Sequence, residues 1–165
     1  METRTSSRAL AVFVAGALAM ASLAAQGASQ KAPGPVPLDP AIDVCAKCGM
    51  SVKDSGYAVE FIADNGKVYK FDDLGCLLAY QKDNPGVAAA ARYVQDAGSH
   101  AWVALESAFY VVSKDVATPM GYGIHAFSKK ADAQEFALVR KDKPKVVGLA
   151  DLPEPSDSES GLMKM

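Results

Sequence analysis

Between Tyr57 and Phe71 apolar side chains alternate with polar or smaller ones: Tyr57, Val59 and Phe61 on the way out, Val68 and Phe71 on the return. Asp64, Asn65 and Gly66 supply a tight turn between the two runs, so the stretch predicts a β-hairpin. The period changes at Asp72. Leu74, Leu77, Leu78 and Gln81 recur at three and four, and Asp72 or Asp73 stands at the N-cap, which predicts a helix. Asn84-Pro85-Gly86 ends it, and "ARYVQDA" reads as a short strand. The second half repeats this order. Ala108 to Ser113 is strand material, and "MGYGIHAFS" is a second strand. Ser128 then opens a helix with Ala133, Phe136 and Ala137 on one face and Leu138 beside it, and "KPKVVGLA" closes with a strand. Each half thus reads strand, strand, helix, strand. The predicted fold is α+β, two small modules of about residues 42–97 and 98–152 with mainly antiparallel sheet.

The flanks break these patterns. Arg4 and Arg8 precede an uncharged run from Ala9 to Ala25, and small residues follow. A basic start, an apolar middle and a small-residue zone make residues 1–28 a secretory signal peptide, with cleavage after Ala24, Gly27 or Ala28. A retained membrane anchor is the alternative, but the run is short for a bilayer and built largely from alanine. Residues 29–41 hold Pro33, Pro35, Pro37 and Pro40 and read as a linker, because proline blocks helix and ladder pairing. Residues 153–165 are proline, serine and acid without periodicity, the composition of a disordered tail. The folded domain is expected over residues 42–152.

Composition narrows the function classes. Of 165 residues, 50% are hydrophobic and 22% charged, enough for one core. The net charge of -2 and a pI of about 5.7 lack the basic face of a nucleic-acid binder. Export matters more for the cysteines. Cys45, Cys48 and Cys76 are an odd number, so one thiol stays unpaired or all are occupied by something else, such as a metal.

The candidate chemistry lies in "VCAKCGMSVKD". A C-x-x-C pair fits a redox dithiol, half a zinc site or a soft-metal site. A thioredoxin-like motif follows a strand and opens a helix; here it follows a proline-rich stretch, and Gly49 interrupts it. Structural zinc asks for four ligands, and only Cys76, His100 and His125 remain. Met50 changes the balance, since thiolate with thioether selects Cu(I) over harder metals. A second place of interest is "ATPMGYGIHAF", where Pro119, Gly121 and Gly123 flank Met120 and His125 follows on the strand beyond. The candidate ligands are therefore Cys45, Cys48, Met50 and Met120, with His125 as a further candidate. Cys76 sits in the helix among Leu74, Leu77 and Leu78 and reads first as a buried packing thiol; its place near the helix N-terminus leaves a role in the site open.

"CAKCGM", "GKVYKFDDLGCLLAY", "AFYVVS" and "TPMGYGIHAFSKKADAQEFA" together resemble the NosL family, exported copper chaperones serving nitrous oxide reductase maturation. The resemblance runs from about Cys45 to about Val147. It implies two related strand-strand-helix-strand modules and binding of Cu(I). By matching motif it assigns Cys48 and Met50 from "CGM" and Met120 from "PMG". The implied partners are nitrous oxide reductase and its membrane ABC-type maturation machinery, with a periplasmic location and possible peripheral membrane association. Many relatives carry a lipoprotein cysteine at the signal cleavage zone, and this chain has none there. On this reading the protein is not an enzyme but a Cu(I) carrier. The rival reading is a periplasmic thiol-disulfide oxidoreductase using Cys45 and Cys48.

Overall fold

A computed structural model describes residues 31–155; the expected signal peptide and residues 156–165 of the expected tail lie outside the described residues. The fold is α+β. Strands β1 (Val59–Ala63) and β2 (Val68–Phe71) form the predicted hairpin, α1 spans Leu74–Asp83, and β3 (Ala89–Gln95) and β4 (Trp102–Ala104) follow. Then come β5 (Phe109–Val112), β6 (Ile124–Phe127), α2 (Lys130–Leu138) and β7 (Val146–Val147). The first sheet has the order β2-β1-β3-β4 and the second β6-β5-β7, with every pairing antiparallel. Three strands of each sheet thus share one topology: second strand, first strand, then the strand after the helix. No described helix is long and apolar enough to cross a membrane.

The first sheet is covered on both faces, which is why all five residues of β1 are buried. On one face Phe61, Tyr69 and Phe71 meet Tyr80 of α1 in a cluster of edge-on and tilted rings. The other face carries Glu60, with Lys70 and Tyr93 as its cross-strand neighbours. The proline-rich stretch expected as a linker lies across this row. Val36 N donates to Glu60 Oε1 at 2.9 Å, Lys70 Nζ to the Pro37 carbonyl at 2.8 Å, and Tyr93 OH to the Pro33 carbonyl at 2.7 Å. Proline cannot ladder as a strand, but its carbonyls still accept, and side chains of the sheet supply the donors.

Strand β4, although it follows the expected module boundary, pairs with β3 and extends the first sheet. Asp96, just past β3, ties the modules together. Its carboxylate accepts from Gly98 N and Ser99 N in its own turn and from Ser128 N at 2.7 Å and Ser128 Oγ at 2.8 Å. Beside it Ala97 N donates to the Ala126 carbonyl at 2.8 Å. This changes the expected start of α2. The N-cap is Lys129, without a side-chain bond, because the Ser128 hydroxyl is spent on Asp96. In α2 the buried positions are Ala133 and Ala137, packed under Val111 and Phe127, while Leu138 is 84% exposed.

Candidate metal centre

The segment 45–50 is a closed turn. Cys45 N donates to the Met50 carbonyl at 2.7 Å, Gly49 N to the Cys45 carbonyl at 2.9 Å, and Val44 and Ser51 form an antiparallel bridge. Gly49 has φ of 77°, a left-handed conformation that glycine adopts without strain, so the residue that breaks a helix here is the one that closes the turn. Ala46 N bonds the Lys70 carbonyl at 2.9 Å and fixes the turn against β2. The Cys45 side chain is buried, Cys48 is half-buried, and Met50 is 42% exposed.

The helix α1 brings the remaining donors. Of the two adjacent acids at its start, Asp73 is the N-cap: its Oδ1 accepts from Gly75 N at 3.0 Å. Asp72 is thereby free to face the turn, where Cys48 Sγ lies 3.4 Å from its Oδ2. Cys76 follows in the first turn of the helix and is buried. The ligand atoms of Cys45, Cys48, Asp72 and Cys76 all lie within 4.8 Å of one another, the one such group of metal-ligating side chains among the described residues. Two of its members come from the turn and two from the helix start.

The second module reaches the same place. Asp73 Oδ2 accepts from Thr118 Oγ1 at 2.6 Å and from Met120 N at 3.0 Å, so the carboxylate that caps α1 also holds the turn bearing Met120. Tyr122 covers Gly75: a Cβ there would lie 2.0 Å from its Cγ, which only glycine avoids. Met50, Lys53, Asp72 and Pro119 line one cavity of about 270 Å³, so the exposed thioether segment and the Met120 turn open onto the same space beside Asp72. The Met120 side chain is half-buried against the core that contains Cys45 and Cys76. His125 is placed elsewhere. It is fully buried in the second module, with Nδ1 3.4 Å from Tyr57 OH, Nε2 3.3 Å from the Ser113 carbonyl, and its ring against Phe136. His100 pairs with Asp54 at 3.1 Å, away from the thiols.

The electrostatics of the cluster set the three thiols apart. A hydrogen bond from the Cys76 thiol, with backbone N–H groups of Cys48, Asp72 and Lys47, outweighs burial and lowers Cys45 to about 6. Cys48 is pushed up to about 12, first by burial, then by the neighbouring Cys45 and Asp72 charges. Cys76 is raised further still, by its bond to Cys45 and by burial. A soft metal ion held there would take its sulfur ligands as thiolates, so its binding would displace protons from Cys48 and Cys76.

In the sequence Cys76 reads first as packing, with a role in the site left open, and Asp72 as a possible cap. The structure shows Cys76 to be buried and part of the cluster at once. Of the tandem acids at "FDDLGC", Asp73 caps the helix and Asp72 faces Cys48, a division that the sequence does not mark.

The NosL family model matches residues 35–156. The chain belongs to the NosL family. Among solved structures, the crystal structure of the copper chaperone NosL from Shewanella denitrificans superposes with a TM-score of 0.63 at 21% identity, covering 74% of this chain and 98% of that one. That likeness is one of fold. The solution structure of apo-NosL from Achromobacter cycloclastes also matches, at 24% identity over 56% of this chain and 82% of that one, with a TM-score of 0.43. None of the curated proteins matches this chain. The α+β fold read from the hydrophobic pattern is that of the solved NosL structures, and in this chain the turn with "CGM" and the start of the helix with "FDDLGC" bring Cys45, Cys48, Asp72 and Cys76 together.

Proposed function

We propose that this NosL-family chain is an exported metallochaperone that carries Cu(I) and delivers it for nitrous oxide reductase maturation. The observation that carries the reading is the convergence of Cys45, Cys48 and Cys76 with Asp72 within 4.8 Å. Three sulfur donors suit a soft monovalent ion, and the Met50 and Met120 thioethers beside them strengthen that preference. The buried thiols Cys45 and Cys76 form the retaining side of the site. Cys48 and Met50 form its open side, where an incoming donor from an acceptor protein displaces them one at a time. Transfer by ligand exchange needs no catalytic acid or base. Family membership supports nitrous oxide reductase and its membrane-bound assembly machinery as the receiving side, and the basic, apolar and small-residue order of residues 1–28 supports a periplasmic location.

The test is an anaerobic Cu(I) titration of reduced protein in competition with a chromophoric chelator. The expected result is about one Cu(I) per chain, held by cysteine sulfur, with Zn(II) bound more weakly. Tight Zn(II) binding with a four-ligand tetrahedral signature, together with weak Cu(I), overturns the reading.

A further inference from the structure

The three thiols that make a metal cluster also make a thiol-exchange site, and their unequal access gives it an order. Cys45 and Cys76 are 3% and 1% exposed, whereas Cys48 is half-buried and lies at the open side with Met50. All three sulfurs are within 4.8 Å of one another. Cys45 is joined to Cys48 through the closed turn, in which Gly49 N bonds the Cys45 carbonyl, and shares the buried core with Cys76. It is the sulfur with a partner on each side. All three cysteines are free thiols in this structure.

We propose that the three-thiol cluster, when it holds no metal, is a disulfide-forming relay in which Cys48 accepts oxidation from a small-molecule disulfide and Cys45 passes it to Cys76. In the first step the Cys48 thiol, the accessible one of the three, gives up its proton and attacks one sulfur of the disulfide RSSR. The RS–SR bond breaks, a bond from Cys48 to SR forms, and one RS⁻ leaves. The Cys45 thiolate then attacks Cys48 Sγ, forming a Cys45–Cys48 disulfide and expelling the second RS⁻. Cys76, after losing its proton, attacks Cys45 Sγ; the Cys45–Cys76 bond forms, and Cys48 leaves and takes up a proton to return as a thiol. In sum two protein thiols are oxidised and RSSR is reduced to two RSH. The buried pair is the resting state because an attacking thiol reaches Cys48 more readily than it reaches Cys45 or Cys76. The bond removes two of the three thiol donors, so loading requires a prior dithiol reduction. Only this last consequence rests on the Cu(I) reading.

The experiment treats the metal-free full chain with oxidised glutathione, quenches with N-ethylmaleimide, and maps the products by mass spectrometry. The expected product has lost two hydrogens, carries one maleimide on Cys48, retains no glutathione, and holds a Cys45–Cys76 bond. Its Cu(I) capacity is lost and returns with dithiothreitol. Three alkylated thiols, or glutathione retained on Cys48, overturn the relay. A Cys45–Cys48 bond at equilibrium overturns Cys76 as the resting partner. In Cys76→Ser the reaction stops at Cys45–Cys48, and in Cys45→Ser glutathione stays on Cys48; the wild-type map decides the matter if either variant misfolds. Normal Cu(I) binding by reduced protein with no disulfide formed removes the relay and leaves the carrier function. A mapped Cys45–Cys76 bond in a protein that binds no Cu(I) when reduced does the reverse.

Discussion

The two modules order their strands alike, so their residues can be matched through the sheet registers, and the match separates what the topology needs from what the site needs. Val59 pairs with Phe71 as Phe109 pairs with Phe127, and each helix starts three residues after that phenylalanine. Asp72 and Asp73 then correspond to Ser128 and Lys129, Gly75 to Ala131, and Cys76 to Asp132. In the first module this stretch supplies Asp72 and Cys76 to the donor cluster. It is buried, side-chain capped and roofed by Tyr122. In the second module it is exposed, lacks a side-chain cap and leaves Lys129, Lys130 and Ala131 to solvent. The shared topology therefore positions a helix start against a sheet, and a handful of substitutions there decide whether that start holds chemistry. The second module contributes instead by lending its Thr118–Tyr122 turn to the first.

Gly75 and Ala131 give the largest expected contrast. Gly75→Ala drives a methyl into the Tyr122 ring and should cost ~3 kcal/mol or more, because the overlap is with a packed ring. Ala131→Gly on the exposed helix should cost about 1 kcal/mol. Urea unfolding of both variants measures the pair. Equal costs would mean that the Tyr122 roof does not bind the modules together.

Asp96 comes next. Burial alone would raise its carboxyl, yet the bonds from Ser128, Ser99 and Gly98 outweigh it and hold the group well below the usual range. Because the folded value is depressed, its stabilisation is present above the unfolded value near ~4 and is lost as pH falls toward the folded one. Asp96→Ala should cost about 3 kcal/mol at pH 7, and less in acid. A melting-temperature series against pH checks this, and an unchanged acid limb in the variant counts against Asp96 as the joint.

Cys76 and Asp132 test the site itself. Cys76→Ala should weaken Cu(I) about a hundred-fold, or roughly 2.7 kcal/mol, while Asp132→Ala leaves affinity unchanged. Chelator competition reads both, and wild-type affinity in Cys76→Ala would return that thiol to a packing role. Smaller again, Met50→Leu and Met120→Leu conserve volume and should each lower Cu(I) affinity about ten-fold with folding intact. An effect in Met50 alone would confine the site to the first module.

The smallest expected effect concerns Glu60, whose counterpart by register is Tyr110. Tyr110 is buried with its hydroxyl donated to the Leu105 carbonyl, but Glu60 Oε2 has no hydrogen-bond partner among the described residues. Burial raises the Glu60 carboxyl, so its favourable protonated form is kept at low pH and lost as pH rises through the folded value. Glu60→Gln should therefore stabilise by about 1 kcal/mol at pH 7 and by nothing in acid, the opposite sign to Asp96. Thermal melts at the two pH values decide it.

Local pattern alone determined a good part of this protein. The period-two runs around Asp64-Asn65-Gly66, the capped period of three and four after Asp73, and their repetition gave both modules, because hairpins and helix starts are set by near neighbours. The gathering of Cys45, Cys48 and Met50 was legible for the same reason: all are in one turn. What only the tertiary structure decided are contacts between segments far apart in sequence. Cys76 reads first as packing because burial and ligation leave the same apolar signature in a helix; the turn from residue 45, folding onto α1, is what sets it among the other thiols. Ser128 looked like a cap until Asp96, thirty-two residues earlier, claimed its hydroxyl. Pro33 to Pro37 looked like a linker because a stretch without ladder capacity has no local partner, and the sheet side chains that hold it lie beyond residue 59. His125 carried no sequence mark of its orientation, and the strand turned it toward Phe136 and the second core rather than toward the thiols.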